Sequence, residues 1–279
     1  MAVTVQFTKY HGLGNDFIFM EDIGGILLPR GEMLATALCH RQFGIGADGL
    51  VFITKEADFY TMRIFNADGT EAEMCGNAVR CMADYLLVEG LTTGPVIQIG
   101  TLSGVKEIRV VDDLYAVDMG EPDFSFSQGE AVEIISHDLS WSAYPVSMGN
   151  PHAVVFVDDL GGLDFEIWGP RLETAKIWPQ GANVEFTQVL SANHLKVKVW
   201  ERGAGPTLAC GTGACAAAAM ASRRGLTQKL TAGAIQVSLP GGDLAICGGP
   251  DNHVHMVGPA VRVFSGRIEI SRLERERKL

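Results

Sequence analysis

Hydrophobic and polar positions along the chain fall into two recurring forms. Short runs rich in Val, Ile and Phe predict strands at Val3–Phe7, Phe17–Met20, Leu50–Ile53, Met62–Phe65, Val96–Ile99, Val105–Val111 and Leu114–Asp118. Later runs predict strands at Ala153–Val157, Val184–Gln188, His194–Trp200, Ile235–Leu239 and His253–Val257. Helices are predicted at Glu32–Cys39, Asn77–Glu89, Trp168–Lys176 and Gly213–Arg224. The last of these is apolar on almost every side through Ala214–Ala221, so it must be enclosed rather than laid on a surface. Arg223 and Arg224 sit in its final turn and Gly225 stops it, which suits the helix dipole and a left-handed cap. Asn77–Glu89 followed by Gly90 repeats the arrangement. The predicted class is α/β (α+β), each half a curved, mostly antiparallel sheet or barrel around a small-residue central helix.

The two halves share a register. Shifted by 135 residues, Gly14-Asn15 falls on Gly149-Asn150 and Gly46-Ala47-Asp48 on Gly181-Ala182-Asn183. Arg63–Asn66 falls on Lys198–Glu201, Cys75-Gly76-Asn77 on Cys210-Gly211-Thr212, and Gly90-Leu91-Thr92 on Gly225-Leu226-Thr227. Ile97-Gln98-Ile99 matches Ile235-Gln236-Val237 at an offset of 138, as a three-residue insertion requires. A chain rich in Gly and Ala gives matches at any offset. These gather at turns and polar positions, in the same order, over the full length. They imply two similar, pseudo-symmetric domains related by a pseudo-twofold axis.

Composition narrows the chemistry. Hydrophobic residues are 47% and charged residues 20% of 279, the profile of a globular protein with a proper core. A net charge of −11 argues against nucleic acid or an anionic membrane as partner. Met1–Asp16 has no apolar signal segment and Ala214–Ala221 is too short to cross a bilayer, so the expected location is the cytoplasm. There a disulfide framework among the six cysteines (39, 75, 81, 210, 215 and 247) would be reduced. No Cys-x-x-Cys occurs, and His253-x-His255 reads as alternate strand residues, so no metal is expected.

Cys75 and Cys210 stand apart from the other four. Each precedes a Gly and a polar residue at the start of a predicted central helix. A helix N-terminus offers unpaired N–H groups and partial positive charge, which favour thiolate and can hold a carboxylate. Two such ends at a pseudo-twofold axis suit inversion of an α-carbon: one sulfur removes the proton from one face and the other returns a proton to the opposite face. The acid and base must be of similar intrinsic acidity, which two matched thiols supply. The helix ends would stabilise the developing carbanion in place of a pyridoxal cofactor, so no cofactor is expected.

Taken in order, several motifs resemble the diaminopimelate epimerases. They are His11-Gly12-Leu13-Gly14-Asn15-Asp16-Phe17, Gly44-Ile45-Gly46-Ala47-Asp48-Gly49, Phe65-Asn66-Ala67-Asp68-Gly69 and Met74-Cys75-Gly76-Asn77-Ala78-Val79-Arg80-Cys81. In the second half they are Gly149-Asn150-Pro151-His152, Asn183-Val184-Glu185-Phe186, Trp200-Glu201-Arg202-Gly203-Ala204-Gly205 and Ala209-Cys210-Gly211-Thr212-Gly213. The resemblance covers essentially the whole chain and implies inversion of one centre of LL-diaminopimelate to give the meso isomer, in lysine and cell-wall precursor biosynthesis. It implies Cys75 and Cys210 as the acid/base pair, and the backbone of Gly76-Asn77 and Gly211-Thr212 on the reacting carboxylate. Asn15, Asn66, Asn150, Asn183 and Arg202 would read the distal end, with Glu201 facing an ammonium group. His152 and Glu201 would help to set which sulfur is ionised.

The resemblance also implies that the C-terminal strand returns to the first domain. The expected domains are therefore 1–122 with 262–279, and 123–261, with the site in the cleft between them. It further implies a homodimer with Phe264 at the contact, while Arg272–Lys278 reads as a solvated end. Gly49 departs from the family pattern, standing where some members place a substrate-facing Gln. Ala78 and Pro206 depart as well, standing for a commoner Gly and Glu. Proline racemase-like proteins also use two cysteines, but Asn77 and the Glu201-Arg202 pair argue against so plain a substrate. A non-catalytic binding protein with packing or redox-sensing cysteines is the remaining alternative.

Overall fold

The computed structural model describes residues 4–56, 59–136 and 139–270. Val3 and the tail Arg272–Lys278 therefore lie outside the described residues. The chain divides into two compact units, Met1–Val117 with Pro259–Leu279, and Asp118–Gly258.

In the first unit β1 (Thr4–Gly12) and β2 (Asn15–Glu21) form a hairpin. Helix α1 (Gly31–Leu38) crosses to β3 (Gly49–Glu56), which lies parallel to β2. Strand β4 (Phe59–Asn66) runs antiparallel to β3, with the short β5 (Glu71–Ala72) beside it. Helix α2 (Gly76–Val88) then crosses to β6 (Val96–Thr101), parallel to β4, and β7 (Gly104–Val111) and β8 (Leu114–Asp118) complete a meander. Each parallel pair thus has the helical crossover that parallel strands require.

The second unit repeats the plan. Strands β9 (Val132–Ser136) and β10 (Leu139–Ser147) pair antiparallel, as do β10 and β11 (Pro151–Phe156). Helix α3 (Phe165–Glu173) leads to β12 (Asn183–Ser191), parallel to β11, and β13 (His194–Glu201) returns antiparallel with β14 (Gly205–Thr207) alongside. Helix α4 (Gly211–Arg223) leads to β15 (Ile235–Leu239), parallel to β13, followed by β16 (Gly242–Gly248) and β17 (Val254–Gly258). Finally β18 (Val261–Glu269) pairs antiparallel with β1. Strands β10–β17 therefore repeat β1–β8 in order, direction and crossover, and β18 takes beside β1 the place that β9 takes beside β10. The fold class is the expected one: α/β, in two units of one topology.

The ladders fix the register of the repeat. Tyr60 lies opposite Ile99 and Leu195 opposite Val237, so β4 maps on β13 at 135 and β6 on β15 at 138, the offsets seen in the sequence. One correspondence differs from the sequence reading. Phe17 pairs with Gly49 where His152 pairs with Asn183, and Leu50 pairs with Phe65 where Val184 pairs with Trp200. Strand β3 thus maps on β12 at 134, because the first unit has one extra residue before its strand. Gly49, not Asp48, is the counterpart of Asn183, and Val51 is the counterpart of Glu185.

Side chains alternate across these strands. Leu50 and Phe52 of β3 pack with α1 in one core cluster, and Val184 and Phe186 of β12 pack with Leu172 of α3 in the other. The opposite face meets α2 or α4. Ala214–Ala221 of α4 is buried throughout, and the helix packs against strands from β10 to β17. Both central helices end alike. Leu91 N–H bonds to Leu86 O and Gly90 N–H to Leu87 O; Leu226 N–H bonds to Ala221 O and Gly225 N–H to Ser222 O. Gly90 and Gly225, at φ +67° and +70°, carry the left-handed step that this cap needs.

Candidate active site

Cys75 and Cys210 are the residues immediately before α2 and α4. Both backbones are extended there (φ −140°, ψ 119° and φ −115°, ψ 112°), so each sulfur stands at the mouth of a helix N-terminus. Gly76 and Gly211 open the two helices and are buried. The first-turn N–H groups of each helix have no partner within the helix itself, which makes both ends anion-receptive.

In the first unit, Cys75 Sγ donates to Asn15 Oδ1 at 3.7 Å, and Asn77 Nδ2 donates to the same oxygen at 3.1 Å. Asn15 Nδ2 donates to Asp48 Oδ2 at 2.9 Å. Asn66, at the exposed end of β4, donates to Thr70 Oγ1 at 3.0 Å within the β4–β5 turn. Asn15 and Asn150 do not supply the left-handed turn conformations at their hairpins; Leu13, Gly14 and Gly149 do. A β-carbon on Gly49 would lie 3.2 Å from Phe65 O and 3.3 Å from Phe17 Cδ1, so a side chain there has little room.

In the second unit, Asn150 Nδ2 donates to Thr212 Oγ1 at 3.4 Å, and that hydroxyl lies 3.5 Å from Cys210 Sγ. Gly213 N–H donates to Cys210 Sγ at 3.3 Å. His152 Nε2 meets Asn150 Oδ1 at 2.9 Å and its Nδ1 meets Glu185 Oε1 at 2.7 Å. Asn183 is buried, donates to Pro151 O at 3.1 Å and accepts the Arg202 N–H at 2.9 Å. Glu201 accepts from Thr207 Oγ1 at 2.6 Å and lies within hydrogen-bonding reach of Cys210.

The electrostatics of Cys210 differ from the sequence expectation. Burial, and then the carboxylates of Glu201 and Glu185, push its thiol well above the ordinary range. They outweigh the Thr212 hydroxyl and the Gly213 N–H, which favour thiolate. Burial also raises Glu201, with Glu185 adding to the rise against the opposing hydrogen bond from Thr207. Among the other cysteines, burial pushes Cys39 and Cys81 up to about 12. It raises Cys247 as well, and Cys215 is buried in α4. His253 is held by Asp118 at 2.9 Å, and among the described residues no three metal-ligating side chains converge. Phe264 is half-exposed on β18 with its ring edge-on to Phe7, centroids 5.8 Å apart.

Two side chains near these sulfurs, Arg80 and Glu185, were not singled out from the sequence. Both carried a legible signal. Each is a charged residue at a position its element turns inward, between Val79 and Cys81 in one case and Val184 and Phe186 in the other.

A family model described as diaminopimelate epimerase matches residues 7–125 and 144–263. Diaminopimelate epimerase of Desulfitobacterium hafniense is 44% identical over 282 residues, covering 94% of this chain and 97% of the relative. That of Pelotomaculum thermopropionicum is 45% identical over 279 residues, covering 94% and 98%. Among solved structures, a phenazine biosynthesis protein of the PhzF family from Bacillus anthracis is similar with a TM-score of 0.72 at 15% identity, covering 96% of this chain and 100% of that one. A hydroxyproline epimerase from Agrobacterium vitis is similar at 0.71 and 15% identity, covering 97% and 94%. At such identities the structures share the fold alone. Sequence identity over nearly the full length, together with the family match in both halves, gives the assignment: the chain belongs to the diaminopimelate epimerase family.

Proposed function

We propose that this chain epimerises LL-2,6-diaminopimelate to the meso isomer with Cys75 and Cys210 as a two-base pair, without pyridoxal phosphate. The observation that carries the reading is that these two cysteines open corresponding helices in two units of one topology, in a chain of this family. One sulfur, as thiolate, takes the α-proton and becomes a thiol as the Cα–H bond breaks. The other, as thiol, gives its proton to the opposite face and becomes the thiolate. The proton count is conserved and the pair ends with its roles exchanged.

In this reading the domains are 1–122 with 262–279, and 123–261, and the site lies in the cleft between them. The N–H groups of Gly76, Asn77, Gly211 and Thr212 take the reacting carboxylate and its developing charge. Asn15, Asn66, Asn150, Asn183 and Arg202 bind the rest of the substrate, while His152 and Glu201 bear on the ionisation of the pair. The enzyme acts in the cytoplasm, in lysine and cell-wall precursor synthesis, as a homodimer with Phe264 at its contact.

The test is incubation of the purified chain, with no cofactor added, with LL-diaminopimelate and separately with L-proline, followed by chiral chromatography. Formation of meso-diaminopimelate with proline unchanged is expected. Turnover of proline alone would overturn the substrate.

A further inference from the structure

In the first unit a run of side chains has hydrogen-bond directions that admit no choice. A carboxylate only accepts and a guanidinium only donates, so each identifies the amide end that faces it. Asp48 Oδ2 meets Asn15 at 2.9 Å, so Asn15 turns its NH2 group to Asp48. Arg80 meets Asn77 at 2.8 Å, so Asn77 turns its oxygen to Arg80. The other ends then match: Asn77 Nδ2 donates to Asn15 Oδ1 at 3.1 Å. With both amides fixed, Asn15 has only its oxygen to offer the Cys75 sulfur, 3.7 Å away.

Both ends of this run are anchored. Arg80 is fully buried and also donates to Gly76 O and Pro259 O, at 3.3 and 3.2 Å. Asp48 receives Arg41 at 2.7 Å and the Asp16 N–H at 3.1 Å, while Lys9 and Arg41 both pair with Asp16. The second unit is wired in the opposite sense. There Asn150, the counterpart of Asn15, turns its oxygen to His152 and its NH2 group to Thr212. The oxygen of Asn15 thus faces Cys75, whereas it is the NH2 group of Asn150 that faces Thr212, whose hydroxyl lies 3.5 Å from Cys210 Sγ.

We propose that Asp48 and Arg80 are positioning residues that lock the amides of Asn15 and Asn77, so that an acceptor faces Cys75 and holds a proton on that sulfur. An acceptor beside a thiol favours S–H over S⁻. Cys75 is then seldom a thiolate at rest and is a stronger base when it becomes one. In the epimerase reading, on which this consequence rests, that matches Cys75 to the buried Cys210, as inversion in both directions requires.

Asp48 gives the cleaner test, since replacing Arg80 also removes a buried cation. Folded wild-type, Asp48→Ala and Asp16→Asn proteins are treated with iodoacetamide at neutral pH, and alkylation of Cys75 is followed by peptide mass spectrometry. Iodoacetamide reads the thiolate fraction. Asp48→Ala removes the acceptor that holds the Asn15 NH2 group and leaves only the Asn77 NH2 group to orient Asn15. As Asn15 gains freedom to turn its NH2 group to the sulfur, alkylation is expected to quicken about fivefold. Asp16→Asn removes a negative charge from the same cluster but leaves the Asn15–Asp48 bond; its rate is expected to stay within about twofold of wild type. No change in Asp48→Ala, or equal acceleration in both variants, overturns the proposal. Diaminopimelate takes no part in the labelling, so the result stands apart from any failure of the epimerase reading.

Discussion

His152 Nδ1 and Glu185 Oε1 lie 2.7 Å apart, in a hydrogen-bonded pair in which neither side chain exposes any surface. Their counterparts in the first unit are Phe17 and Val51, both buried hydrocarbon. The same place in the fold thus holds an apolar pair in one half and a polar, hydrogen-bonded pair in the other. A buried pair adds little net stability, because desolvation offsets the attraction. Its presence in one unit only, beside Asn150 and Cys210, points to the site rather than to the core.

That contrast gives the first prediction. His152→Phe or Glu185→Val alone strands a buried polar partner, and each is expected to destabilise by about 3–5 kcal/mol. The double variant writes the first unit's residues into the second and is expected to recover most of that loss. It should nevertheless not recover epimerisation. Urea unfolding and an activity assay on the same preparations check both halves. Recovery of activity along with stability would mean that the pair is structural only.

A second prediction concerns the helix residue that faces Glu185. A β-carbon on Gly213 would stand 2.8 Å from Glu185 Oε1 and 3.2 Å from Cys210 Sγ. The matching position in α2 is Ala78, which is buried and already carries the methyl group. Gly213→Ala is expected to cost about 1–3 kcal/mol through overpacking, despite the gain in helix propensity, and to depress turnover. Ala78→Gly should cost only about 1 kcal/mol, through propensity. Thermal unfolding of the two variants separates these cases.

The third prediction follows from the raised Cys210 thiol. Burial and the nearby Glu201 and Glu185 carboxylates keep it protonated through the pH range in which an ordinary thiol begins to ionise. Its alkylation should therefore stay slower than that of a free thiol up to and beyond about pH 8.5. Glu201→Gln removes one of the opposing charges and should speed it. Mass spectrometry of the Cys210 peptide across a pH series gives the answer, and labelling at pH 7 as fast as that of a small-molecule thiol would contradict it.

The fourth concerns acid stability. Burial works to raise Asp16, but the hydrogen bonds and charges of Arg41 and Lys9 prevail and hold it below its ordinary value. A depressed carboxyl contributes stability above its unfolded pKa, and the contribution is lost as pH falls through the lowered folded value. The stability difference between wild type and Asp16→Asn should therefore be largest near neutrality and shrink below about pH 4. Denaturant melts at several pH values measure it; a difference that grows with acidification would reverse the sign.

Much of this arrangement was legible in the sequence, for physical reasons. The enclosed helix announced itself through Ala214–Ala221, and Gly90 and Gly225 marked matching helix ends. Strands with buried apolar runs, such as β3 and β12, were found to within a few residues. Strand β18 was not found by pattern: Val261–Ser265 is exposed on both faces, so no alternation betrays it. Strand β9 mixes Glu133 and the exposed Ile135 with the buried Ile134, and β10 carries Pro145 and three serines.

The shift that pairs Gly49 with Asn183 was invisible because the extra residue lies between two well-matched motifs, and only the ladders date it to the start of β3. At the candidate site, spacing located both sulfurs and most of their neighbours. It could not weigh Glu185 and Glu201 against the helix N-terminus at Cys210, because that balance depends on distances across β12, β13 and α4.

The two-sulfur account is tested most directly by the rate of LL- to meso-diaminopimelate conversion in single cysteine variants. Cys75→Ala and Cys210→Ala are each expected to remain folded and to lose at least about a thousandfold in turnover, since each removes a proton-transfer partner. Cys81→Ala and Cys215→Ala, at buried helix positions, should stay within a few-fold of wild type. Near-wild-type turnover in either of the first two variants would contradict the mechanism.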